Sequence, residues 1–199
     1  MLTNPESEEL CAVAARLIVE EGLDYGAAKR RAVHQLGLPA RTRWPDNDEV
    51  EAAVREHIAL FHADTQPVEL AALRELALVW MERLRDFRPY LSGAVWHGTA
   101  TRLNDVFLQL FCDDSKSAEL ALINRGVAYD VGSTQGLRGE MVDVLSLSVP
   151  CPGLGEHVGL HLVIYDADDL RGALKPDAQG RKPRGHEADV RALLSSSLS

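Results

Sequence analysis

Two aspartates in strand-like segments are the residues of this 199-residue chain whose type and surroundings first suggest chemistry. Asp143 is flanked by valines in an apolar segment, and Asp105 begins a segment in which apolar side chains alternate along the chain. A carboxylate on an inner strand is costly to bury unless it is paired. A metal ion, an arginine such as Arg102 or Arg138, or a backbone cap would satisfy Asp143, whereas Asp105 has the simple alternative of a solvated strand start.

A histidine beside a glycine is a second candidate. His97 precedes Gly98, and an imidazole at that place would contact a phosphate or act as a general base. The alternative is a structural role beside Trp96, in which the ring only packs.

The C-terminal stretch is the most basic part of the chain. Residues 171–185 contain five basic residues and one acidic residue, a local charge of +4 in a chain whose net charge is −9. Arg181, Lys182 and Arg184 cluster at its end. They predict an arm that folds over a cleft and binds phosphate, or a flexible arm that pairs with the acidic surface.

Several common catalytic motifs are absent from the sequence. The three cysteines form no Cys-x-x-Cys pair, so neither a disulfide framework nor a cysteine-rich zinc site is expected. The chain also lacks the His-Glu-x-x-His pattern of zinc proteases and the Gly-x-Ser-x-Gly pattern of serine hydrolases.

One segment near the middle of the chain carries the most specific pattern. Its members are, in order, Gly93, Gly98, Thr99, Ala100 and Asp105. The order resembles the signature of the nucleotidyltransferase superfamily, in which a glycine ends a strand, a small turn follows, and an Asp-x-Asp pair begins the next strand. The resemblance extends over residues 90–165.

That resemblance implies a magnesium-dependent nucleotide site. In the family, two carboxylates on one strand face and a third from a neighbouring strand hold two magnesium ions that clamp a nucleotide triphosphate for in-line displacement. For this chain the resemblance implies Asp105 and Asp143 as the catalytic, metal-binding carboxylates. The positions expected to bind the nucleotide or complete the site are Gly93, His97, Gly98, Thr99, Gln109, Arg181, Lys182 and Arg184.

Two departures from the family pattern predict a degenerate site. Ala94 stands where the family has a phosphate-contacting serine, and Phe107 stands where it has the second aspartate. The sequence therefore favours a protein without catalysis that binds a nucleotide, another phosphorylated ligand or a protein partner. Two alternatives remain: an active magnesium-dependent nucleotidyltransferase with a rearranged site, and a structural or dimerising module.

The elements that must position these residues change character at Pro89. Apolar residues recur at helical spacing before it, and β-like alternation dominates after it. The prediction is an α+β fold with a helical N-terminal region (1–88) packed on a small mixed sheet of nucleotidyltransferase-like type (89–170), followed by a basic arm with a short helix (171–199). The predicted strands are 105–112, 127–131, 141–149 and 159–165.

Composition limits the partners and the compartment. A net charge of −9 and a pI near 5.2 argue against general electrostatic binding to nucleic acid. The sequence has neither an apolar run of the roughly 20 residues that span a bilayer nor a signal-peptide pattern. A cytoplasmic bacterial protein is expected, with leftover apolar helix stripes able to form a homodimer.

Overall fold

The structure is a computed structural model that describes residues 5–39 and 42–196, so the ends of the predicted N- and C-terminal regions lie outside the described residues. Helices precede strands along the chain, which confirms the α+β class. The α-helices are α1 (Pro5–Glu21), α2 (Tyr25–Gln35), α3 (Asn47–Phe61), α4 (Gln66–Arg83), α5 (Gly93–His97), α6 (Ser117–Asn124), α7 (Leu170–Ala173) and α8 (Glu187–Ser196). The strands are β1 (Tyr90–Ser92), β2 (Val106–Cys112), β3 (Asp130–Gln135), β4 (Met141–Cys151), β5 (Glu156–Asp166) and β6 (Arg184–Gly185).

Contacts divide the chain into two compact units. The helical unit comprises Met1–Val68 and Thr99–Leu103, and the sheet unit comprises Glu69–Gly98 and Asn104–Ser199. The division falls near the start of α4, whereas the sequence suggested a boundary at residue 88. The sequence signal at Pro89 marks the change from helices to strands, whereas the boundary between the two compact units lies after Val68.

The helical unit is built from α1, α2 and α3 around an apolar core. Side chains at helical spacing on α1, including Leu10, Ala14 and Leu17, are fully buried there. Asp46 caps α3 by accepting a hydrogen bond from the Glu49 backbone N–H at 2.8 Å, and the Glu49 carboxylate accepts the Asp46 N–H in return. This capping box satisfies two N–H groups that would otherwise lack partners at the helix start.

The sheet unit contains one six-stranded mixed sheet in the order β3-β4-β5-β2-β1-β6. β2 runs parallel to β5 and antiparallel to β1, and β4 runs antiparallel to both β3 and β5. The mixed sheet is the architecture expected from the sequence. The parallel pair of β2 and β5 at its centre brings together residues that are separated by the long connection between Cys112 and Glu156.

Alternation along β2 gives the sheet two different faces. Val106, Leu108 and Leu110 point to one face and are fully buried. Phe107 and Phe111 point to the other face, where Phe111 is 1% exposed and Phe107 is 40% exposed. The second face is therefore covered at the end of β2 and open at its beginning.

Three of the predicted strands, β3, β4 and β5, differ from their predicted bounds by more than one residue, and β5 begins at Glu156 rather than at residue 159. β3 spans Asp130–Gln135, including Gly132, and all six of its residues are exposed. Backbone pairing with β4, rather than burial of apolar side chains, holds this strand in the sheet. β4 continues through Pro150, which pairs with β5 but lies beyond the part of β4 that pairs with β3. Proline has no backbone N–H, and on the side without a neighbouring strand none is needed. β6 was not predicted, and it lies within the arm.

Among the described helices, none combines the length and the apolar character needed to cross a bilayer.

Candidate functional site

The open part of the second sheet face carries a group of interacting side chains on three adjacent strands. We call Asp105, Phe107, Ser146 and His161 the Phe107 surface. Phe107 on β2 pairs with His161 on β5, and His161 pairs in turn with Ser146 on β4, so the three side chains stand in a row across the sheet. Asp105 precedes β2 and reaches the same row.

Hydrogen bonds tie the row together. Asp105 Oδ2 lies 3.0 Å from His161 Nε2, and Asp105 Oδ1 accepts the Gly159 backbone N–H at 3.1 Å. Ser146 Oγ lies 2.9 Å from His161 Nδ1. The Phe107 and His161 rings stack with centroids 4.7 Å apart at 26°. One imidazole is thus held through both nitrogens and one ring face.

The electrostatics of Asp105 determine where the protons lie. The hydrogen bond from His161, supported by its charge and by the Gly159 N–H, lowers the pKa of Asp105 against the opposing effect of burial. An ionised carboxylate only accepts, so His161 Nε2 carries the hydrogen that faces Asp105. In the neutral ring, Nδ1 then accepts the Ser146 hydroxyl hydrogen.

The order serine, imidazole, carboxylate is also that of a nucleophilic relay. Here Ser146 lies within β4 and pairs with Asp130 on one side and His161 on the other. The backbone around it is committed to the sheet, whereas acyl transfer needs free N–H donors for an oxyanion. The contacts on both ring nitrogens and one ring face position the His161 ring against Phe107.

The connection from β1 to β2 contains a short helix, α5, where the sequence pattern predicted a small turn, and β2 begins at Val106, one residue after Asp105. Gly93 (φ +72°) begins α5 and Gly98 (φ +81°) ends it, both in the left-handed region that favours glycine. Gly93 is exposed, and a Cβ added there would come within 3.9 Å of Phe107. His97 is the last residue of α5, and Thr99 is only 4% exposed.

A buried arginine fixes the end of α5. Arg74 of α4 is 5% exposed, and it donates to the Val95 carbonyl at 3.1 Å and to the Trp96 carbonyl at 3.4 Å. A cation at the C-terminal end of a helix satisfies free carbonyls and favours the helix dipole. α4 thereby holds the turn that leads to Asp105.

Asp143 is not brought together with Asp105. It lies on β4 with β5 between it and β2, and its Oδ2 pairs with Lys116 Nζ at 3.3 Å. Gly159, which binds Asp105, pairs with Ser148, five residues along β4 from Asp143. At about 3.3 Å per residue this separates the two carboxylates by roughly 16 Å along the strands alone.

Gln109 and Arg184 meet beside the Phe107 surface. Gln109 follows Phe107 by two residues on the same face of β2, and its Oε1 accepts a short hydrogen bond from Arg184 Nη1. Arg184 of β6 is 8% exposed, and its Nε finds no hydrogen-bond partner among the described residues. Burial lowers the pKa of this guanidinium, although the group stays charged at neutral pH.

The other two basic residues of the predicted arm have local partners. Arg181 pairs with Asp177 at 2.8 Å, and Lys182 pairs with Asp189 at 2.9 Å. The Trp96 indole donates to the Lys182 carbonyl at 2.8 Å, which docks the arm against α5. Arg184 contacts Gln109 on the sheet face.

A cavity of about 560 Å³ adjoins Arg184. Its lining includes four basic side chains, Arg138, Arg171, Lys175 and Arg184, together with Asp168 and Asp169. Arg138 forms a close ion pair with Asp169. The remaining cations face a space large enough for a phosphate group.

Sequence reasoning named Asp105 and Gln109 but missed the interactions that define them. Neither Ser146 nor His161 was among the predicted site residues. Arg138 was suggested as a partner for Asp143, but it pairs with Asp169. The detectable signal was alternation, because His161 and Phe107 both point away from the fully buried faces of their strands. The parallel pairing of β2 with β5 was not predictable from either segment alone.

Compared with protein-family models and with curated proteins, the chain matches none.

Proposed function

We propose that this chain is a nucleotidyltransferase-like protein that binds a nucleotide or another phosphorylated ligand and does not transfer nucleotidyl groups. The observation that carries the proposal is the set of side chains around Asp105, the expected first carboxylate of the family pattern. Phe107 occupies the second carboxylate position of that pattern, and His161 pairs with it from β5. Asp143, expected as the third carboxylate, lies on β4 and pairs with Lys116 instead. Asp105 already accepts hydrogen bonds from His161 and Gly159.

These residues do not fit a two-magnesium site. Magnesium in such sites is bound by carboxylate and phosphate oxygens. The row offers one carboxylate, an aromatic ring and an imidazole whose hydrogen points at that carboxylate. No catalytic step through magnesium is therefore derived for this chain.

A phosphate group has a suitable place beside Arg184. Charge-assisted hydrogen bonds from guanidinium groups are the strongest that a phosphate receives from side chains. Arg184 is buried with an unpartnered Nε, and the exposed Arg171 and Lys175 line the same cavity. These features support binding of one phosphorylated group at the edge of the sheet face.

A nucleobase has a suitable place on Phe107. The ring is 40% exposed and is held flat against His161, and exposed aromatic rings on sheets are common stacking platforms for bases. Gly93 carries no side chain that would cover this ring. These features favour a nucleotide over other phosphorylated ligands.

A rearranged one-metal enzyme is less well supported. That alternative needs Asp105, Asp143 and Gln109 to share one ion. Asp143 contacts Lys116 two strands away from β2, and Gln109 contacts Arg184. Each of the three side chains has a different partner.

The proposal is tested by calorimetric titration of the full chain with ATP, AMP and inorganic phosphate, with and without magnesium. We expect saturable nucleotide binding in the micromolar to low millimolar range that does not require magnesium. Phe107→Ser is expected to weaken AMP binding at least about five-fold while leaving phosphate binding unchanged, because only the stacking surface is lost.

Variants of the cavity complete the test. Arg171→Ala combined with Lys175→Ala is expected to weaken both AMP and phosphate, whereas Arg125→Ala removes an exposed charge at the end of α6 and is expected to change neither. The absence of nucleotide binding up to about 5 mM would overturn the proposal. Magnesium-dependent release of pyrophosphate that Asp105→Asn abolishes would overturn the loss of catalysis.

A further inference from the structure

We propose that Glu20, His57 and His62, at the ends of α1 and α3 in the helical unit, bind one divalent transition-metal ion of the zinc type. We call these three residues the Glu-His-His cluster. Among the described residues, it is the one group of three or more His, Cys, Asp or Glu whose ligand atoms lie close enough together to share a metal ion. The proposal is independent of the ligand proposed for the sheet unit.

The geometry of the cluster is close to that of a metal site. All three ligand atoms lie within 4.8 Å of one another, and His57 Nε2 lies 3.2 Å from Glu20 Oε1. With zinc bonds of about 2.0–2.2 Å, ligand atoms lie roughly 3.4 Å apart in a tetrahedral site. The Glu20–His57 separation is already close to that spacing, and the other separations are at most 4.8 Å.

Local structure explains how the chain forms the cluster. His57 lies in the penultimate turn of α3, and His62 is the residue that caps its C-terminus, with φ −130° and ψ 17°. In a continuous helix, side chains five residues apart point in different directions around the helix axis. The backbone of His62 is not helical, and its ring lies 5.8 Å from the His57 ring. Glu20 comes from the last turn of α1.

The electrostatics of the place favour a cation. The C-terminal ends of α1 and α3 both lie here, and each helix end carries partial negative charge. Neither helix has a basic residue in its last turn, and the carboxylate of Glu20 adds a full negative charge. Arg31 of α2 pairs with Glu21 at the end of α1, and a bound metal ion would supply the corresponding positive charge at the end of α3.

The ligand types select the metal. Two imidazoles and one carboxylate suit zinc, cobalt, nickel or copper better than magnesium or calcium, which prefer oxygen ligands throughout. The His57 side chain is 12% exposed and its ring packs against Phe61, whereas Glu20 is 43% exposed. The inner ligand is thus held in place, and the open coordination positions face water.

The expected consequence is a link between two helices. An ion held by Glu20 on one side and by His57 and His62 on the other joins the end of α1 to the end of α3. Because it binds the folded unit and not the unfolded chain, it stabilises the helical unit by mass action.

The experiment titrates chelator-treated full-length protein with zinc chloride by calorimetry and with cobalt chloride by visible absorption. We expect one ion per chain, a dissociation constant at or below the micromolar range, and cobalt bands that report nitrogen and oxygen ligands. His62→Ala and Glu20→Gln are expected to weaken zinc binding at least about ten-fold. His34→Ala, which removes an exposed histidine at the end of α2, is expected to leave it unchanged.

Glu20→Gln keeps the size of a side chain that is 43% exposed, so it tests the site without disturbing the core. A circular-dichroism spectrum equal to that of the parent chain verifies the fold of each variant. Absence of zinc binding up to roughly 100 µM would overturn the proposal. Binding that is equal in the parent chain, His62→Ala and Glu20→Gln would also overturn it, since it would place the ion elsewhere.

Discussion

Asp105 illustrates how a side chain takes its role from its neighbours. It stands at the position where the family pattern has a metal-binding carboxylate, yet in the fold it accepts hydrogen bonds from one imidazole and one backbone N–H. The carboxylate oxygens of Asp105, which could otherwise bind a metal ion, instead orient the His161 ring. The role of Asp105 therefore depends on β5, the strand that carries His161 and pairs with β2.

Asp105→Asn is expected to make stability less dependent on pH. The pKa of Asp105 is lowered in the folded protein, so its ionised form stabilises the fold above the ordinary aspartate pKa, and this contribution disappears as the pH falls through the lowered value. Because the carboxylate is 48% exposed, we expect the parent chain to melt only about 1–3 °C higher than the variant at pH 7. Thermal melts over a series of decreasing pH values measure the difference, which should shrink as the pH falls below the ordinary aspartate pKa; a constant difference would contradict it.

The cysteines are expected to be unreactive in the folded chain. Cys11, Cys112 and Cys151 are all buried free thiols, and burial raises the pKa of Cys112 to about 11. Very little of the Cys112 thiolate is then present at pH 8, and the thiolate is the reactive form. Burial limits access to the other two thiols. Reaction with a disulfide reagent at pH 8 should be slow in native protein and complete in denaturant. Fast labelling of the native chain would show that the thiols are accessible.

At the scale of elements, the capping box of α3 makes a measurable contribution. Asp46→Ala removes the side-chain acceptor for the Glu49 N–H and is expected to lower the free energy of unfolding by about 1 kcal/mol. Asp64→Ala removes an exposed acidic side chain just after α3 and serves as the control. Urea denaturation followed by circular dichroism measures both. Equal midpoints for the two variants would contradict the role of the cap.

β5 approaches Asp105 closely because residue 159 is glycine. A Cβ at Gly159 would lie 2.5 Å from the Asp105 carboxyl group, so Gly159→Ala is expected to displace that carboxylate and cost roughly 1–3 kcal/mol. Gly172→Ala on α7 meets no atom within 4 Å and is expected to be neutral or slightly stabilising. Thermal melts of both variants, with the nuclear magnetic resonance signals of the His161 ring, test the difference. An unchanged His161 environment in Gly159→Ala would contradict it.

Elements with strong local signals could be predicted from the sequence. The end of α1 at Glu21, the start of α3 after Asp46 and the bounds of α6 follow from glycine stops, caps and apolar spacing. The sequence also placed Phe107 and Gln109 on one strand face. It could not show that His161 faces Phe107, because strand order depends on pairing between segments more than 40 residues apart. The bounds of β3 were predicted wrongly for a related reason, since its exposed side chains carry no apolar pattern.

At the scale of the whole molecule, the two proposed ligands belong to different units. Zinc is expected to slow amide hydrogen exchange at the C-terminal ends of α1 and α3, and AMP is expected to slow it in β2, β5 and β6. Exchange measured by mass spectrometry with each ligand separately tests this assignment. Zinc protection of the strands, or AMP protection of α1, would contradict it.

The parallel alignment of β2 with β5 has a consequence for the order of folding. β4 and β5 are joined by a short turn and pair locally, whereas β2 joins β5 only after a connection of more than 40 residues has closed. Closing such a loop costs entropy that local hairpins avoid, so contacts of this kind form late and slow the reaction. His161 therefore acquires its carboxylate partner in one of the last steps. During refolding, the recovery of ligand binding should lag behind the recovery of β-sheet signal.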